Sequence, residues 1–151
     1  PAAAALMVSV LSLFNAGGRA SAGILSDKLG RIGTLSLVFP ISVAALCALF
    51  FFGQDSMAVF AVSIALVGAC FGALMGIFPG FTADEFGQRN NTVNYGILFF
   101  GFALSGMLGP QVASWVMSGT GSYRSAFLIA AVVALAGFAL TFLHRRLAAR
   151  S

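Results

Sequence analysis

The sequence predicts an all-α, polytopic membrane helix bundle, and three observations carry that prediction. Of its 151 residues 60% are hydrophobic and 8% charged, with a mean hydropathy of +1.00; this leaves too little polar surface to wrap a soluble core. The apolar residues fall into five stretches of about twenty, the helical length that crosses a hydrocarbon layer of about 30 Å. Short polar or turn-forming breaks separate them. In lipid every backbone group must be satisfied within its own segment, which selects helices over open strands.

The first element, 4–25, is the one apolar stretch that holds a charge before its end, Arg19 in LSLFNAGGRASAGIL. Ser12, Asn15, Arg19 and Ser26 recur at helical spacing and share one face. A guanidinium in hydrocarbon costs at least about 3 kcal/mol, so it is paired, hydrated or snorkelled. Snorkelling to the nearer interface would run against the lean of helical side chains toward the helix N-terminus. Facing a water-filled cavity, the planar fork can hold a carboxylate through two hydrogen bonds. An anion site is the expectation, with snorkelling as its alternative.

The second element, 33–52, is apolar on every side, which suits a lipid-facing helix. The third, 57–79, places Gly68, Gly72, Gly76 and Gly80 at four-residue spacing, a small-residue stripe along which a neighbouring backbone can approach closely. The fourth, 93–118, repeats the device with Gly101, Ser105 and Gly109, followed by Pro110, which removes a helix hydrogen bond and permits a local kink. The fifth, 124–143, is again almost wholly apolar, and a basic tail, 144–151, follows. Static packing accounts for such stripes as well as movement does.

Five spans make the breaks alternate sides. Lys28, Arg31, Arg89, Arg145, Arg146 and Arg150 then share one side, and Arg124 stands alone on the other. The positive-inside rule makes the first side cytoplasmic and puts the N-terminus outside. The net charge of +4 is thus a topology signal, not the basic face of a nucleic-acid-binding domain. Cys47 and Cys70 lie within apolar stretches, where a thiol acts as a small hydrophobe, so neither disulfide nor metal is expected. The single His, His144, reads as interfacial, and no nucleophile with a plausible partner points to an enzyme. No cofactor is expected. Opening on Pro1 with no initiator Met, the chain reads as a fragment.

The first break runs Gly23-Ile24-Leu25-Ser26-Asp27-Lys28-Leu29-Gly30-Arg31, which resembles the loop signature of the major facilitator superfamily, G-x-x-x-D-[RK]-x-G-R followed by another base. Ile32 departs from that final basic position. Longer strings resemble the C-terminal half of the oxalate/formate antiporter family: Phe14-Asn15-Ala16-Gly17-Gly18-Arg19, Phe78 to Gly87 (FPGFTADEFG), Asn94-Tyr95-Gly96, Leu108-Gly109-Pro110 and Gly121-Ser122-Tyr123.

The resemblance implies five helices of a six-helix half, helices eight to twelve of a twelve-helix carrier in a bacterial inner membrane, whose partners are the N-terminal half, membrane lipid and a small organic anion. It implies a substrate site around Arg19, with Asn15, Asn94 and Tyr95, placed near the bilayer midplane. In relatives that carry oxalate, a second base on helix eleven helps hold the dianion; here that position falls at about Phe102, and 93–118 contains no Lys or Arg. Formate, pyruvate or lactate therefore fits as well as oxalate.

The resemblance also implies a conformational latch of loop charges, Asp27, Lys28 and Arg31, with Asp84 and Glu85 at the end of the third helix. Thr82-Ala83-Asp84-Glu85 fits a capping box as well, a purely structural account of the acids. The competing function is a non-transporting membrane scaffold or receptor-like subunit, which the packing stripes alone could support.

Overall fold

The computed structural model describes residues 2–148, in which five helices follow one another: α1 Ala2–Leu29, α2 Arg31–Phe52, α3 Met57–Phe86, α4 Asn91–Thr120 and α5 Arg124–Ala148. Among the described residues there is no strand. Each apolar stretch forms one helix, and α2 to α5 are long and apolar enough to cross a membrane. α1 spans 28 residues, with Asn15, Arg19 and several serines lowering its hydropathy.

The helices run past their expected ends. α1 continues to Leu29, so that Gly30 alone, at φ 77°, turns the chain into α2; a side chain there would be strained. The larger difference falls at 80–92, whose Gly, Asp and Asn content predicts a break. α3 instead continues through Pro79 to Phe86, and only residues 87–90 link it to α4. Proline forfeits one helix hydrogen bond, whereas unwinding here would strand a turn of backbone groups. Asn91, the first residue of α4, donates its amide to the Pro79 carbonyl at 3.4 Å. The Thr82 hydroxyl lies 3.0 Å from that carbonyl and 2.7 Å from Asn91 Oδ1. Thr82 to Glu85 therefore close α3 and form no capping box; α4 is preceded by Asn90, which makes no side-chain cap bond.

Because lipid tails are as apolar as leucine, helices in a membrane associate through close packing more than through burial of apolar area. α1 on α3 is the most extensive contact, and α2 bridges α3 and α5. The α3 stripe lies along the α1 backbone: a Cβ on Gly68 would stand 2.8 Å from the Leu11 carbonyl oxygen, one on Gly72 would overlap that of Asn15, and one on Gly76 would stand 2.7 Å from that of Arg19. Gly18 of α1 meets Ala69 with equal closeness.

α2 departs from the expectation of a helix bathed in lipid, since Thr34, Leu35, Val38, Ala45, Leu46 and Leu49 are buried along it. An all-round apolar sequence marks a buried helix as readily as a lipid-facing one. Its contact with α5 is keyed by the Phe39 ring, which occupies the space a Cβ on Gly137 would take, 2.6 Å away. α4 is the opposite case, with no buried residue. A Cβ added to Gly101 or Gly109 would meet nothing within 4 Å, and the Ser105 hydroxyl bonds the Phe102 carbonyl of its own helix at 2.7 Å. The second small-residue stripe therefore packs against no helix among the described residues.

Arg124, the lone base at its end of the bundle, has a structural use. Its guanidinium donates to the carbonyls of Phe50 and, at 3.2 Å, Phe51, and lies 5.2 Å from the Phe50 ring. Helix ends leave such carbonyls without intrahelical partners, and Arg124 satisfies them at the close of α2.

Candidate functional site

Two polar assemblies stand out in this bundle. In the first, the α1 backbone at Arg19 is held between Gly72 and Gly76, whose missing Cβ atoms leave room for its N and O. This close seat carries the Arg19 side chain past α3 toward α4, where it lines an open cavity of about 390 Å³ with Met75, Thr92, Tyr95, Gly96 and Phe99. Among the described residues Arg19 has no ion pair. One permanent positive charge thus faces a concavity whose other polar groups are the hydroxyls of Thr92 and Tyr95, suited to accept an anion.

Of the sequence candidates, Arg19 and Tyr95 meet in this cavity, while Asn15 and Asn94 are half-buried outside its lining. Asn15 lies one turn before Arg19, with its carbonyl against Gly72. Met75, Thr92 and Phe99 are additions that sequence reasoning does not supply. Met75 and Phe99 carry no signal apart from apolar type, and Thr92 belongs by composition to a break. The lining comes from the first turns of α4, so the cavity lies off-centre, toward the end of the bundle that holds Gly30.

The second assembly lies at that end. Arg31 bonds Asp27 at 2.9 Å and Asp84 at 3.3 Å, and also donates to the buried Ser26 hydroxyl. Gly80, the fourth member of the α3 stripe, admits the guanidinium: a Cβ there would fall 2.8 Å from Nε. Glu85 turns the other way and meets His144 Nε2 at 3.0 Å, with the imidazole edge-on to Phe81. Adjacent acids on α3 therefore reach the start of α2 and the end of α5. Lys28 joins no ion pair among the described residues. His144 is a further addition: composition assigns it to a tail, whereas α5 continues as helix to Ala148.

Helices of spanning length, stripe-packed and bordering an open charged cavity, define an integral membrane helix bundle. The chain belongs to the major facilitator superfamily, whose family model matches residues 1–151. It is 38% identical over 101 residues to an uncharacterised transporter of that type, YhjX of Escherichia coli (strain K12), covering 67% of this chain and 25% of the relative. It is 31% identical to the oxalate:formate antiporter of Oxalobacter formigenes, over 93% of this chain and 34% of the relative. Monocarboxylate transporter 12 of Xenopus laevis is 27% identical, over 92% and 29% respectively. The chain thus spans about a quarter to a third of the length of these relatives. No solved structure matches it.

Proposed function

We propose that this chain forms part of a secondary carrier for small organic anions, which binds carboxylates such as formate, oxalate, pyruvate or lactate at Arg19 and works by alternating access. The observation that carries the reading is a guanidinium on a membrane helix, without an ion pair among the described residues, seated by glycines and facing a cavity. A scaffold would have no use for a charge that costs about 3 kcal/mol to keep in hydrocarbon. The names of the relatives, an oxalate:formate antiporter and a monocarboxylate transporter, agree with an anionic substrate. The test is uptake of labelled formate, lactate and oxalate by vesicles carrying the complete gene product. Saturable uptake of at least one is expected; a scaffold would give none.

In the same reading Arg31, Asp27 and Asp84 form a latch, and the end of the bundle holding them is cytoplasmic, in a bacterial inner membrane. Lys28, Arg31, Arg89, Arg145 and Arg146 gather there, as the positive-inside rule requires; Arg150, counted with them from sequence, lies outside the described residues. The Asp84 side chain is 62% exposed, and such a pair contributes about 0–1 kcal/mol to stability. That is enough to bias two conformations differing by little. Asp84→Asn is therefore expected to change the ratio of inward-open to outward-open carrier, read by accessibility labelling, several-fold while melting shifts by less than about 1 kcal/mol equivalent. An unchanged ratio would leave the cluster a purely structural tie.

A further inference from the structure

Beyond the cavity's charged end, α3 and α4 are joined by aromatic rings. Tyr95 and Phe99 line the cavity with Arg19, and Tyr95, Phe99 and Phe102 recur at four and three residues, so they share one face of α4. Their rings form a continuous tilted series: Tyr95 to Phe99 is 5.5 Å between centroids, Phe99 to Phe102 is 4.9 Å, and Phe102 to Phe71 of α3 is 5.8 Å. The series is not sealed into the bundle, for Phe99 remains 40% and Phe71 41% exposed. A row of rings beginning beside a lone cation is a surface for a molecule with one charged end and one flat apolar end.

We propose that the site at Arg19 takes monocarboxylates bearing an aromatic or similarly broad apolar group, the carboxylate on the guanidinium and the ring on Tyr95 and Phe99. The inference rests on the reading of Arg19 as the anion anchor and extends it to the uncharged part of the substrate. Among the described residues Arg19 is the one cation lining the cavity, so a second carboxylate finds no second cation there, and low-dielectric surroundings penalise an unpaired charge heavily. A ring placed there instead gains offset or edge-on contacts with side chains of matching geometry.

The test is titration calorimetry of the complete purified gene product with acetate, phenylacetate and oxalate. Phenylacetate is expected to bind about tenfold more tightly than acetate, the yield of one well-packed ring contact, and oxalate no more tightly than acetate. Phe99→Leu, which keeps an apolar side chain of similar bulk and removes the ring, should lower the phenylacetate-to-acetate ratio by about threefold or more; Tyr95→Leu, at the other ring lining the cavity, provides a second reading if the first variant does not fold. Equal binding of acetate and phenylacetate by the unaltered protein, or a ratio unmoved by both substitutions, would overturn the aromatic subsite and leave the anion anchor standing. Absence of binding by all three carboxylates would overturn the anchor as well.

Discussion

Arg19→Ala is expected to abolish carboxylate uptake by the complete gene product while leaving its insertion into the membrane unimpaired. Two charge-assisted hydrogen bonds to a carboxylate contribute about 1.5–3 kcal/mol each, so their joint loss corresponds to a hundredfold or more in affinity. Nothing in the bundle loses an ion-pair partner, because Arg19 has none among the described residues. Removing the charge from α1 also relieves the cost, about 3 kcal/mol, of placing a guanidinium in hydrocarbon. Arg19→Lys should restore part of the uptake, since an ammonium supplies the charge without the planar fork. Uptake by vesicles, with membrane insertion followed by blotting, separates the two effects. Normal transport by the Ala variant would refute the site.

The second large effect is expected at Gly72, where helix propensity taken by itself would forecast a gain. Replacing glycine by alanine within a helix ordinarily stabilises by about 1 kcal/mol. Here the added Cβ would overlap the Asn15 carbonyl and stand 3.0 Å from the Arg19 nitrogen, and backbone cannot swing aside as a side chain can. Overpacking of this kind costs about 1–3 kcal/mol or more, so the clash outweighs the propensity. Gly72→Ala should melt markedly lower in detergent and lose affinity for carboxylates, because α1 must retreat from α3 and take Arg19 with it. Gly33→Ala is the control: its Cβ would lie 3.5 Å from that of Leu29, an ordinary contact, and its melting should hold or rise. Equal melting of the two variants would contradict the close α1–α3 seat.

The helices are legible in the sequence because a hydrocarbon layer of about 30 Å sets a minimum of about twenty residues for a helix that crosses it, and all five, at 22 to 30 residues, exceed that length. Their ends are not, and 80–92 shows why: Pro79, Gly80 and the polar residues after them end helices in water, where solvent satisfies the freed groups. In this packed bundle Asn91 and Thr82 instead tie the start of α4 to the Pro79 carbonyl, and the helix continues. Spacing identifies two stripes of small residues but cannot name their partners. Gly68, Gly72 and Gly76 lie on α1, whereas Gly101, Ser105 and Gly109 have the same rhythm and no neighbouring helix among the described residues. Arg19 is conspicuous as a charge in an apolar run, and its cavity partner Tyr95 comes through resemblance. Thr92, Met75 and Phe99 need three dimensions, since nothing local distinguishes them. His144 stays hidden for a similar reason, its meeting with Glu85 depending on where two helices end, at residues 59 apart in sequence.

The bareness of α4 has a mechanical meaning. α1, α2, α3 and α5 interlock through glycine seats, the Phe39 key and the Arg124 cap. α4 touches α3 and α5 only lightly and contributes no buried residue, yet it supplies Thr92, Tyr95, Gly96 and Phe99, much of the wall facing Arg19. Among the described residues the cavity at Arg19 is therefore bounded by one close-packed side and one lightly packed side. On the proposed reading of Arg19 as an anion anchor, a tilt of α4 would uncover or enclose that charge without prying apart any close-packed surface among the described residues.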